Sequence, residues 1–234
     1  MALLEFQNVT KSYHPKHKNT HPFFVLNGVS FTVEEKEFVL LLGKSGAGKT
    51  TVLKLIIGEE KPDSGKIFFE GKEITNSHGK EICEVRKKIG VVFQDYKLLP
   101  SKTVFENLAF VLNVLGEDEK KQKEEILKVL DLVGLLEKQH FYPEELSAGE
   151  KQKVAIARAL VTKPKLILAD EPTGNLDPYN TLDVIDLLRK INKMGLTVML
   201  ATHSREVVEK LKKRVLVLEG GKIVRDDEKG KFFL

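Results

Sequence analysis

The apolar residues of this chain fall into three textures. Alternation with a period of two marks Leu3-Leu4-Glu5-Phe6-Gln7-Asn8-Val9 and predicts a strand, which Thr10-Lys11-Ser12-Tyr13 ends. Phe23 to Val33 predicts a second strand with a turn at Asn27-Gly28, and residues 67–74 predict a strand and a tight turn. Continuous apolar runs at 38–42, 89–93, 166–169 and 196–201 predict buried strands of the kind a parallel sheet uses. Helical spacing is the third texture. It follows the first apolar run at 51–57 and returns at 103–115, where Thr103 and Glu106 form a capping box. It continues at 117–132, which starts polar, turns apolar at Ile126, Leu127, Leu130 and Leu132, and stops at Gly134. Further helices are predicted at 150–161, before Pro164, and at 181–194. Residues 215–218, Gly220-Gly221 and 223–224 read as a terminal hairpin.

This order of elements predicts an α/β fold. A mostly parallel core sheet is flanked by an antiparallel β-subdomain from the strand-rich first third. An α-helical subdomain, residues 95–163, is inserted within a single domain spanning 1–234.

Composition narrows the class. The net charge of +4, from 38 basic and 34 acidic residues, is small and scattered, so no nucleic-acid partner is expected. Cys83 is the only cysteine, which excludes an internal disulfide and fits a reducing compartment. No run reaches the roughly 18 apolar residues of a membrane span, and the N-terminus lacks a basic-then-apolar signal pattern. The polar stretch from His14 to Pro22 carries three histidines and reads as a loop. A metal site there has neither helical register nor a cysteine or carboxylate partner to support it.

The chemistry begins between the run at 38–42 and the helix at 51–57. Gly43-Lys44-Ser45-Gly46-Ala47-Gly48-Lys49-Thr50 matches G-x-x-x-x-G-K-[ST] in the strand–loop–helix context that the phosphate-binding P-loop requires. Glycines let successive N–H groups turn toward a phosphate chain, and the helix adds the positive end of its dipole. Lys49 is placed to neutralise β- and γ-phosphate charge, and the Thr50 hydroxyl to ligate Mg²⁺. Thr51 continues the nucleotide-binding set. The loop alone implies only a nucleoside triphosphate.

Four polar residues follow apolar strands. Asp170 ends the run at 166–169 and suits Mg²⁺. Glu171 stands next to it, where a carboxylate can orient a water and take its proton. Gln94 ends the run at 89–93 and offers an amide to the metal or the attacking water. His203 follows the run at 196–201 and can donate to a γ-phosphate, although a lone histidine is more often structural.

The stretch Leu146-Ser147-Ala148-Gly149-Glu150-Lys151-Gln152 resembles the signature L-S-G-G-Q of ATP-binding-cassette (ABC) ATPases, with Ala148 and Glu150 as departures. The resemblance covers essentially the whole chain. It implies that Tyr13 stacks on adenine, that Gln94 and His203 are the Q-loop and switch residues, and that Asn175-Leu176-Asp177 is the D-loop. It further implies ATP and Mg²⁺ as ligands and a head-to-tail dimer with a second copy. Ser147, Gly149 and Glu150 would then act in trans on the partner's nucleotide, and Ser147 and the Gly149 backbone sit at a helix N-terminus suited to a phosphate.

Residues 170–177, Phe93-Gln94-Asp95-Tyr96-Lys97-Leu98-Leu99-Pro100 and Gly58-Glu59-Glu60-Lys61-Pro62 are similar to the branch that holds lipoprotein-release, macrolide-export and cell-division ATPases, and most like its cell-division members. That implies a place on the cytoplasmic face of the cell membrane beside a four-helix integral membrane protein of the FtsX type. Motion would pass through it to cell-wall hydrolases, with no solute moved. The alternatives are an exporter subunit and a soluble ABC protein. Leu98, Leu99, Val104 and Phe105 form either subdomain core or a groove for a helix of the membrane partner.

Overall fold

The structure is a computed structural model that describes residues 2–13, 22–228 and 230. Residues 14–21, and with them the histidine-rich loop, lie outside the described residues. In chain order the elements are β1 (Ala2–Tyr13), β2 (Phe23–Glu34), β3 (Phe38–Leu42), α1 (Lys49–Ile56), β4 (Ser64–Phe69), β5 (Lys72–Glu73) and α2 (Lys80–Lys87). Then come β6 (Ile89–Val92), α3 (Val104–Leu115), α4 (Glu119–Val133), α5 (Ala148–Leu160), β7 (Leu166–Asp170) and α6 (Pro178–Lys193). The chain closes with β8 (Thr197–Thr202), α7 (Arg205–Leu211), β9 (Arg214–Glu219) and β10 (Lys222–Asp227). Two compact units result, Met1–Arg86 with Thr197–Leu234, and Lys87–Leu196.

The first unit holds an antiparallel sheet ordered β2-β1-β4-β5. It also holds parallel core strands: β3 lies between β8 and β9, parallel to both, and β10 pairs antiparallel with β9. All five residues of β3 are buried, as its unbroken apolar run requires. Two local expectations change. The first strand does not end at Thr10 but continues to Tyr13, because Lys11, Ser12 and Tyr13 pair with Leu26, Phe24 and Phe23. Asn27-Gly28 is not a turn but a bulge inside a continuous β2. Leu26 to Val29 on β2 faces only Val9 to Lys11 on β1, an extra residue on one side. The reason is packing: Leu26 and Val29 are both fully buried, although their odd spacing would place them on opposite faces of a regular strand. The bulge uses its loose donors well. Gly28 N–H donates to Thr10 Oγ1 at 3.1 Å, and Asn27 N–H to Gly221 O at 2.7 Å.

The second unit pairs β6 parallel with β7, and α5 packs on β6, α3, α4 and α6. Its helices begin where side chains satisfy their first amides. Thr103 and Glu106 form the expected capping box on α3. Asp118 caps α4, whose end is marked by Gly134. Ser147 caps α5, so that helix starts at Ala148 rather than Glu150, and Asp177 caps α6 with Pro178 in its first turn, so that helix starts before Thr181. Helices α2 and α7 were not expected. Their apolar sets, Ile82 with Val85 and Val207-Val208 with Leu211, are too short for periodicity to stand out.

One core position is costly. Gln152 on α5 is fully buried, and neither its amide N nor its O has a hydrogen-bond partner among the described residues. A buried amide without partners destabilises, whereas an apolar group of like shape does not. Gln152→Met, of similar length, is expected to raise stability by about 1 kcal/mol and Tm by about 2–4 °C. A thermal melt checks this, and a lowered Tm would mean that the amide is satisfied after all.

Candidate nucleotide site

In the first unit the P-loop is built by β3, α1 and the wall of β2. Gly48, the residue before α1, has φ 105°, and a Cβ on it would stand 2.9 Å from Val25 O and 3.0 Å from Val25 Cγ1. Only glycine combines that left-handed backbone with that close approach. Ala47 N–H donates to Lys44 O at 3.1 Å, which curls the loop, and Gly43 N–H donates to Thr202 O at 3.4 Å, which ties its start to the end of β8. Lys49 is buried, and its Nζ donates to Gly43 O at 2.7 Å and to Lys44 O at 3.2 Å. The ammonium is thereby held inside the curve of the loop. No side chain caps α1, and no acidic residue lies in its first turn. That helix N-terminus therefore presents a positive dipole end with neither a capping side chain nor an acidic residue of its own first turn, which fits a phosphate. Lys44, Ser45, Gly46 and Thr50 are exposed, while Thr51 is buried in α1.

Strands β3 and β8 run in register with Leu42 beside Thr202. The first P-loop residue and His203 consequently leave the sheet at the same edge. His203 is exposed, and Ser204 behind it caps α7. Tyr13 is half-buried at the last residue of β1, paired with Phe23 at the first residue of β2. Its ring lies 6.2 Å from that of Phe23 and under Lys11 Nζ at 5.4 Å. Phe23 was not singled out from the sequence, because it reads there as one more apolar strand residue. Its 53% exposure beside Tyr13 is what marks it.

In the second unit the register of β6 and β7 sets Val92 beside Ala169, so Gln94 and the pair Asp170-Glu171 emerge together. Asp170 is half-buried at the last position of β7. Glu171 has φ 46°, a left-handed conformation that non-glycine residues avoid and that concentrates at functional positions. Its carbonyl accepts from Gly174 N–H at 3.0 Å, closing a turn. That turn brings Gly174 against Gln94: a Cβ there would stand 2.8 Å from Gln94 Nε2. Asn175 Nδ2 donates to Gln94 O at 3.2 Å. The expected Q-loop, metal carboxylate and base are thus brought together within one unit. Sequence reasoning missed Arg158 of α5, whose guanidinium donates to the carbonyls of Tyr96 and Lys97 just past Gln94. Both carbonyl residues have positive φ. Burial pushes the Arg158 guanidinium below its ordinary range.

The signature residues stand at the start of α5. Ser147 Oγ accepts from Glu150 N–H at 3.3 Å, and Glu150 Oε2 accepts from Ser147 N–H at 2.9 Å. Glu150 also pairs with Lys138, which holds its carboxyl below the usual carboxylate range. Ser147 is exposed, while Gly149 is buried. Asp177 is exposed and caps α6, and the amide N–H groups of Asn180 hold its carboxyl low.

The Asp170 carboxylate and the Gln94 amide carbonyl of the second unit, and the Thr50 hydroxyl of the first, are each oxygen donors of the kind a hard cation such as Mg²⁺ takes. Among the described residues there is no cluster of three or more His, Cys, Asp or Glu arranged for a metal on their own. No described helix is long and apolar enough to cross a membrane.

The family model for ABC transporters matches residues 26–174, from the wall of the P-loop to the turn after Glu171. The chain is 48% identical over 230 residues to the cell division ATP-binding protein FtsE of Bacillus subtilis (strain 168), with 98% of each chain covered. It is 42% identical over 224 residues to the methionine import ATP-binding protein MetN of Leifsonia xyli subsp. xyli (strain CTCB07), covering 95% of this chain and 65% of that one. A dimeric post-hydrolysis state of the ATP-binding cassette MJ0796 bound to ADP and Pi has the same fold, with a TM-score of 0.86 at 32% identity over 98% of this chain and 100% of that chain. By that family match, the full-length likeness and the shared fold, the chain belongs to the ABC transporter family, as an α/β ATP-binding domain that hydrolyses ATP.

Proposed function

We propose that this chain is the ATPase subunit of an FtsE-type cell-division complex and works as a head-to-tail dimer. The observation that carries the reading is the extent of likeness to the Bacillus subtilis protein, which runs the full length of both chains. Likeness to the methionine import protein stops at 65% of its length. A methionine-import-type subunit is the second reading, favoured only by its comparable identity of 42%.

In the proposed mechanism Tyr13 stacks on the adenine ring, with Phe23 beside it, and residues 43–51 cradle the phosphates through backbone N–H groups and Lys49. Thr50, Gln94 and Asp170 would hold Mg²⁺, which would supply charge neutralisation at the phosphates. Glu171 orients water and accepts its proton as the water attacks the γ-phosphorus, and the bond from that phosphorus to the β–γ bridging oxygen breaks with ADP as the leaving group. His203 donates to the γ-phosphate. Ser147, Gly149 and Glu150 of a second copy complete the phosphate site, and Asp177 lies at the same dimer contact. Glu150 is acidic in a place that meets phosphate, and its pairing with Lys138 is what makes that tolerable. The partner is an integral membrane protein of the FtsX type, which places the subunit on the cytoplasmic face of the membrane and passes motion to cell-wall hydrolases.

Affinity purification from detergent-solubilised membranes, with mass spectrometry of what co-purifies, tests the assignment. A four-helix membrane protein is the expected partner. Recovery of a solute permease with a binding protein would favour the import reading, and recovery of soluble partners alone would remove both.

A further inference from the structure

The first turns of α5 and α6 meet at Asn180. Asn180, the third residue of α6, lies directly on Gly149, the second residue of α5. A Cβ on Gly149 would stand 2.0 Å from Asn180 Oδ1, 2.5 Å from its Cγ and 3.1 Å from its Cβ. The other end of the same amide donates to Asp177 Oδ2, and the Asn180 backbone N–H donates to Asp177 Oδ1 at 3.0 Å. The amide orientation follows from chemistry, since a carboxylate accepts from NH₂ and leaves the carbonyl oxygen to face Gly149. Gly149 is helical and has no positive φ. Glycine in a helix costs backbone entropy that alanine would not, so its use here answers to space rather than to conformation. Asn180 occupies that space.

We propose that Asn180 is a positioning residue that clamps the N-terminus of α5 to the Asp177 turn. The signature residues and Asp177 are then presented to a second copy's nucleotide as one rigid edge. This rests on the reading above, in which Ser147 and Gly149 receive a γ-phosphate across a closed dimer. The clamp has two halves: a carbonyl seated on Gly149 and an amide held by Asp177. Loosening it leaves each loop intact and lets their spacing drift, which costs dimer closure and not the binding of ATP by one chain. Displacements of about 1 Å at a reacting site reduce rate on the order of a hundredfold.

The test is a double-mutant cycle of Asn180→Ala and Gly149→Ala, scored by steady-state ATPase activity. In parallel, the Glu171→Gln background is scored for affinity toward Mg-ATP at a dilution where the chain is monomeric, and for Mg-ATP-dependent dimerisation by sedimentation. Asn180→Ala is expected to bind Mg-ATP as its parent does, dimerise about tenfold more weakly and lose kcat with KM unchanged, a split that a general folding defect would not produce. Gly149→Ala in the parent is expected to lose about a hundredfold in activity, because its methyl meets the Asn180 carbonyl. Placed on Asn180→Ala, it is expected to cost less than about fivefold, because only the Cβ at 3.1 Å remains. Equal damage in both backgrounds would overturn the proposal. So would an Asn180→Ala protein that dimerises and turns over like its parent. If Gly149→Ala alone does not fold, recovery of folding and activity in the double variant supports the clamp, and failure of the double variant overturns it. If Glu171→Gln by itself forms no dimer with Mg-ATP, the dimer reading fails, and the ATPase arm of the cycle still decides whether Asn180 positions Gly149.

Discussion

Glu171→Gln is expected to keep Mg-ATP binding and to lose hydrolysis by about 10²–10⁴-fold, the range a positioned general base supplies. The amide matches the carboxylate in size and can still hold a water, but it is a very poor proton acceptor. Geometry supports choosing this residue over its neighbours. Glu171 is held in a left-handed conformation at the end of β7, by a turn whose Gly174 packs on Gln94. The left-handed backbone turns the chain at Glu171 beside the exposed Gln94 amide, and such conformations cluster at functional positions. With hydrolysis blocked, the proposed nucleotide-bound dimer has no route to open and should accumulate in size-exclusion chromatography. A variant that turns over at the parent rate would assign the base elsewhere.

Lys49→Ala is the second large effect. Its ammonium is buried and bonded to two loop carbonyls, Gly43 O and Lys44 O. The substitution therefore removes the proposed phosphate counter-charge and also the post around which residues 43–48 curl. Charge-assisted hydrogen bonds of this kind are worth about 1.5–3 kcal/mol each. Loss of affinity for Mg-ATP is expected to be at least about a hundredfold by calorimetry. Lys49→Met, which keeps much of the buried stem, separates the two roles. Both variants should lose nucleotide affinity, while Lys49→Met should melt closer to the parent temperature. Undiminished affinity in either variant would mean that the phosphates lie elsewhere.

Much of this molecule was legible in the linear chain, because the relevant physics is local. Period-two and period-3.6 patterns, together with caps such as Thr103–Glu106 and stops such as Gly134, depend on residues within a turn or two. The strand–loop–helix at 38–57 and the carboxylates after an apolar run are local in the same sense, so both halves of the candidate site could be read in order.

What the chain order could not decide is what touches what across long separations. The bulge at Asn27-Gly28 arises because Leu26 and Val29 must share one buried face, a demand made by a sheet and not by a strand. The extension of β1 to Tyr13 depends on pairing with β2. Arg158 reaches Tyr96 and Lys97 across more than sixty residues of sequence, 62 and 61 apart, and nothing in its own helix announces it. Gly149 looks like a motif glycine in one dimension. Only the packed structure shows Asn180 filling the place of its missing side chain, because side-chain volume is excluded in space and not along the sequence.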